Sequence, residues 1–239
     1  LKESMRKVAL LEQVKGELSK FVPEAVTKLL EKNPDARELE KREADVSVLF
    51  LDVEGYTRLS EELPAQRLNR MIQDYFSSFL EIIRAHHGDV NETAGDGLMV
   101  IFQSEGNPAG HARNAAGTAF QLLAKVAGLN KEFVGIYPAV AIHVGINSGP
   151  ALVGATKLDA AGGGRWTFTA SGPTTNLAAR VAGLTKGGEV MVGPETAERI
   201  KDHYVLQDAG EHKLKNVSAA VRVFRLVPPG VYIKIEGII

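Results

Sequence analysis

Val46-Ser-Val-Leu-Phe-Leu-Asp52 is the stretch that most restricts what this chain can become. Only Ser47 and Asp52 are polar, too few for one face of a strand to meet water, so the run predicts a central strand. The segments after it supply its neighbours. Pro64 opens a helix in which Leu68, Met71, Ile72, Tyr75, Phe76, Phe79, Leu80 and Ile83 recur at helical spacing until Gly88 ends it. Asp89 to Glu92 and Leu98 to Phe102 read as two strands around Ala94-Gly-Asp-Gly97, a hairpin signal that sets Asp96 at a tight turn. A second long helix from Ala109 to Lys131 and a strand from Tyr137 to Asn147 complete the order β-α-β-β-α-β. That order predicts an α+β, ferredoxin-like fold, an antiparallel sheet with helices on one face.

Beyond it, Ala160-Ala-Gly-Gly-Gly-Arg165 reads as a flexible hairpin tip, its glycines matching no phosphate-loop spacing. A helix from Pro173 to about Leu184 follows, then short strands through Val223 interrupted by a helix from Pro194 to Lys201. Upstream, Leu11, Val14, Leu18 and Phe21 form an apolar stripe extended by Leu1, Met5 and Val8. The stripe fits one strand of a dimeric coiled coil and equally an amphipathic helix folded onto its own domain. Pro23 starts a second short helix, Asn33-Pro34 stops it, and the charged stretch from Asp35 to Asp45 reads as a linker. The expected division is residues 1–44 as N-terminal helices and linker, 45–227 as the main domain, and 228–239 as a tail.

Composition narrows the chemistry. The chain has 28 basic and 29 acidic residues, a net charge of −1, so nothing pulls it generally toward nucleic acid or an anionic membrane. A polyanionic ligand would have to be held locally. With no cysteine there is no disulfide, thiolate metal site or cysteine nucleophile. No apolar run is long enough to span a membrane. The sequence begins mid-helix at Leu1, so we expect a cytoplasmic part of a longer protein, with an upstream sensor or membrane anchor.

Asp52 ends the buried strand beside a glycine turn, where a hard cation can reach side-chain and backbone oxygens, although an isolated Asp there also suits a helix N-cap. Asp96 needs no function to sit in a glycine-flanked turn. The predicted topology, however, lays the two side by side, and paired carboxylates call for a shared proton or for metal between them. Asn176 and Arg180, four apart, share one face of the helix opened by Pro173. An amide and a guanidinium there could meet a ribose and a transferring phosphoryl group, or simply meet solvent.

Taken together, Phe50-Leu-Asp-Val-Glu-Gly-Tyr-Thr57, Glu92-Thr-Ala-Gly-Asp-Gly97, Gly145-Ile-Asn-Ser-Gly149 and Gly172-Pro-Thr-Thr-Asn-Leu-Ala-Ala-Arg180 resemble the class III adenylate/guanylate cyclase family over about residues 45–227. The resemblance implies a metal-dependent lyase of intracellular signalling that converts a purine nucleoside triphosphate to its 3′,5′-cyclic monophosphate and pyrophosphate. It implies a head-to-tail homodimer with sites at the interface, one copy supplying two ions of Mg²⁺ or Mn²⁺ and the other reading base and phosphate. Asp52, Asp96 and the backbone of Val53 match the metal contacts, and Asn176 and Arg180 the pair that positions the ribose and stabilises the pentavalent phosphorus. Glu92 and Thr169 occupy the base-reading positions. Lys213 and Lys215 are both candidates for the triphosphate lysine.

A carboxylate accepts hydrogen bonds, and guanine offers N1–H and an exocyclic amine together, so Glu92 argues for GTP; Thr169 can donate or accept and does not decide. Two alternatives stand beside this reading: an adenylate cyclase that tolerates Glu92, and a catalytically silent domain that binds nucleotide or dimerises to pass a signal.

Overall fold

The computed structural model describes residues 2–32, 39–104, 106–160 and 163–228. Its centre is strand β1 (Arg42–Val53), followed by helices α3 (Tyr56–Glu62) and α4 (Ala65–Ala85), the hairpin β2 (Gly88–Ala94) and β3 (Gly97–Gln103), helix α5 (Pro108–Glu132) and strand β4 (Ile142–Ala160). Then come β5 (Gly163–Ser171), α6 (Pro173–Ala182), β6 (Val190–Val192), α7 (Pro194–Ile200), β7 (Leu206–His212) and β8 (Val221–Leu226). Two helices precede this body, α1 (Lys2–Leu18) and α2 (Glu24–Lys32).

The strands form a sheet in the order β2-β3-β1-β4-β6-β8-β7, with β5 pairing to the far half of β4. Its β2-β3-β1-β4 portion is the expected ferredoxin-like arrangement, with β1 between β3 and β4. Every pairing is antiparallel except that of β4 with β6.

Successive side chains of a strand point to opposite faces, and β1 shows why its sequence is apolar throughout. Leu49, Leu51 and Val53 enter a core with Leu98, Val100 and Phe102 of β3 and with Met71, Tyr75 and Phe79 of α4. Val46 and Val48 enter a second core with Met99, Ile101, Ala170 and Ala178. Ala178 belongs to α6, so helices cover both faces, which corrects the expectation of helices on one face. Gly145 makes that close approach possible, since a Cβ there would overlap the backbone nitrogen of Ala182.

Three local readings also change. Arg42 to Asp45, expected as linker, already pair with Val153 to Pro150 of β4; residues 35–38 of that stretch lie outside the described residues. The strand expected from Tyr137 begins at Ile142, because Asn130 satisfies Val140 from its side chain. Its amide oxygen accepts from Val140 N at 3.0 Å and its amide nitrogen donates to Val140 O at 2.8 Å. Helix α3 was not anticipated. The glycine-rich tip expected at 160–165 is mostly strand: Ala160 ends β4 and Gly163 to Arg165 begin β5, paired back to β4, and residues 161 and 162 lie outside the described set.

A buried polar chain ties β1 and β4 to α5 and α7. Ser47 Oγ lies 2.8 Å from His111 Nδ1 and 2.6 Å from Ser148 Oγ, which in turn lies 2.8 Å from Thr196 Oγ1. Burial pushes the His111 imidazole down to about 4, so it sits here neutral.

Helix α1 carries the apolar stripe read in the sequence. Met5, Val8, Leu11, Val14 and Leu18 are all exposed, and none of the described residues covers them. Its junction with α2 is held by Lys15 and Glu31, 2.9 Å apart. Among the described residues, no helix is long and apolar enough to cross a membrane.

Candidate active site

Asp52 occupies the next-to-last position of β1, on the same face as Val48 and Phe50 and therefore on the α6 side of the sheet. Its strand partner is Gly97 on β3 and, on the other side, His143 on β4. Asp96 arrives through the β2–β3 hairpin, a two-residue loop in which Gly95 takes the left-handed φ of 57° that such turns demand. The backbone N–H of Val53 staples the two segments, donating to Asp96 O at 3.1 Å and to Asp52 Oδ1 at 3.0 Å. The N-cap alternative for Asp52 does not hold, since α3 is preceded by Gly55 and no side chain caps it.

The two carboxyl groups meet. Partial burial pushes the Asp52 carboxyl up to about 6, and the charge of Asp96 and a hydrogen bond to it push the same way; His143 and the Val53 N–H oppose them more weakly. Two carboxylates held together at the mouth of a cleft form a site for a cation. Among the described residues, no three acidic or histidine side chains gather round one point. A cation held by Asp52, Asp96 and the Val53 backbone would therefore complete its shell with water and phosphate oxygens. Mg²⁺ and Mn²⁺ take that donor set readily.

These carboxylates open into a cleft of about 400 Å³ whose walls include Phe50, Glu92, Met99 and His143. Glu92 is thus in the same cleft as Asp52 and Asp96. Its opposite wall is chemically bland, formed by Ala179 and Ala182 of α6 and by Gly183, which caps that helix. Asn176 and Arg180 lie on that helix but not in that cleft. The inward face of α6 carries Ala178, Val181 and Ala182, while Asn176 and Arg180 are exposed on the outer face. No ion pair involves Arg180 among the described residues.

Thr169 is on β5, partly buried, its hydroxyl 3.3 Å from Ala170 O. Lys213 and Lys215 are exposed on either side of buried Leu214, in the connection from β7 to β8, away from the cleft walls. Sequence reasoning passed over His143, which sits across from Asp52 and bonds Thr185 Oγ1 through Nδ1 at 2.7 Å. It stands two residues before Gly145-Ile-Asn-Ser-Gly149, and only the strand register could have shown what it faces.

With the geometry described, comparison with known proteins adds an independent line. A family model described as the adenylate and guanylate cyclase catalytic domain matches residues 39–227. The chain is 26% identical over 186 residues to adenylate cyclase 1 of Rhizobium meliloti, covering 77% of this chain and 27% of that protein. It is 28% identical over 199 residues to an adenylate cyclase of Mycobacterium tuberculosis, covering 83% and 43%. The chain therefore spans less than half the length of these curated relatives. Among solved structures, it resembles the adenylyl cyclase CyaB of P. aeruginosa with a TM-score of 0.72 and 28% identity, covering 79% of this chain and 96% of that one.

Proposed function

The chain belongs to the adenylate and guanylate cyclase catalytic domain family, and from that membership we propose that it converts a purine nucleoside triphosphate, preferentially GTP, to the 3′,5′-cyclic monophosphate and pyrophosphate. The observation that carries the reading is the meeting of Asp52 and Asp96 in a cleft whose other wall has no chemistry of its own. An exposed Asn176 and Arg180 on the outer face of α6 are what a second copy would contribute, so two chains facing head to tail would complete two sites.

In that arrangement Asp52, Asp96 and the Val53 backbone of one copy would hold Mg²⁺ or Mn²⁺. Such ions acidify the ribose 3′-OH and neutralise phosphate charge. Asn176 of the other copy orients the ribose for in-line attack on the α-phosphorus. Arg180 donates to the α-phosphoryl oxygens as charge builds on them, and Lys213 or Lys215 meets the leaving pyrophosphate. Glu92 accepts from guanine N1–H and its exocyclic amine. A second reading, ATP as substrate, is supported by the relatives named adenylate cyclases and by the neutrality of Thr169 toward either purine.

Mixing two inactive variants tests both catalysis and shared sites. Arg180→Ala is expected to lower kcat by roughly 10²–10³ with an unchanged melting temperature, because the side chain it removes is exposed. Asp52→Asn is expected to lose turnover as well. Co-purified mixed dimers should recover activity that neither variant has alone, each dimer retaining one intact site. Full activity in Arg180→Ala, or no recovery in mixed dimers, would overturn the reading. Turnover of GTP against ATP by the wild type, followed by Glu92→Lys, separates the two substrates.

A further inference from the structure

Glu92 should not face the cleft at all. In a regular strand it would point the same way as Val90, two residues earlier, and Val90 packs against the α4–α5 core. The β2–β3 register shows what intervenes: Val90 pairs with Val100, but Glu92 pairs with Met99, so Asn91 is an extra residue with no partner on β3. Val100 points into the α4–α5 core and Met99 into the opposite one. The bulge therefore turns Glu92 from the helix-packed core to the cleft face, as one added residue must in a structure with a side-chain period of two.

Asn91 also anchors what it turns. Its side-chain nitrogen donates to Phe168 O at 2.8 Å, 77 residues away on β5 and directly before Thr169. Asn is disfavoured in strands, and here its amide oxygen is buried without a partner among the described residues. Stability of the hairpin alone does not account for an amide at this position. The bond fastens the bulge to β5 at a point where Phe168 and Ala170 face the same core as Met99, while Thr169, between them, points away from it and is not among the cleft walls.

We propose that Asn91 is a positioning residue for purine selection: its bulge presents Glu92 to the cleft, and its bond to Phe168 fastens that bulge to β5. The inference rests on the cyclase reading and deepens it. It concerns which purine is taken, whereas Asp52, Asp96, Asn176 and Arg180 concern whether any is turned over.

The test compares Asn91→Ala and the near-isosteric Asn91→Asp with the wild type in kcat/KM for GTP and for ATP, alongside equilibrium binding of each nucleotide with Mn²⁺. Both variants are expected to move the GTP to ATP ratio toward one by about three- to tenfold, the weight of one lost hydrogen bond, mainly through KM. In a Glu92→Ala background the same substitutions should leave the ratio unmoved, since the group they position is gone. Equal losses for both nucleotides would reduce Asn91 to a structural role and overturn the proposal, as would a ratio change that persists without Glu92. A wild type with no turnover but selective binding would sink the cyclase reading while the binding ratios still decided the role of Asn91.

Discussion

Asp52 is a side chain that costs the fold stability at neutral pH and that the proposed function requires. Its carboxyl stands at about 6 in the folded protein against an ordinary value of 3.8, raised first by burial and then by Asp96. A carboxyl raised on folding stabilises most below its unfolded value, and that contribution is lost as pH rises through the folded one. Without metal, Asp52→Asn should therefore melt at a higher temperature than the wild type above pH 6, and the gap should close as pH falls toward 4. Adding Mn²⁺ at pH 7.5 should raise the melting temperature of the wild type and not that of the variant. Thermal melts across pH, with and without the ion, check both statements. A wild type indifferent to Mn²⁺ would remove the cation from the site.

Among elements, α6 is the one on which the geometry turns. It begins at Pro173, and its small inward residues let it lie directly on β4 over Gly145. Gly145→Ala puts a methyl group where the Ala182 backbone already is, and the strand cannot yield because it is paired on both sides. Overpacking of this kind typically costs about 1–3 kcal/mol, and backbone overlap places it at the upper end. The expected outcome is a melting temperature several degrees lower and a loss of catalysis larger than the remaining folded fraction explains, because the helix carrying Asn176 and Arg180 is displaced. Urea unfolding beside single-turnover rates distinguishes the two effects. Gly145 was read in the sequence only as part of a motif; that it is a packing surface follows from the helix set against it.

For the whole molecule, the proposed pairing of two copies would draw on both the exposed stripe of α1 and the cleft of the domain. Removing residues 1–22 should weaken self-association and make specific activity depend on protein concentration. Sedimentation of the truncated and full chains, each at several concentrations, measures it; a truncated chain that associates as tightly as the full one would confine dimerisation to the catalytic domain. Much of this architecture was already legible in the chain. The β-α-β-β-α-β order, the central place of β1 and the hairpin carrying Asp96 follow from periodicity and turn residues, because side-chain period and backbone permissiveness are local properties. What only the tertiary structure decided is which side of the sheet each group faces. The second covered face, the position of His143 beside Asp52, the outward turn of Asn176 and Arg180, and the bulge that redirects Glu92 all depend on strand register and on helices packed from far along the chain. A one-residue shift in register reverses every side chain in a strand, and no local pattern of residues encodes it.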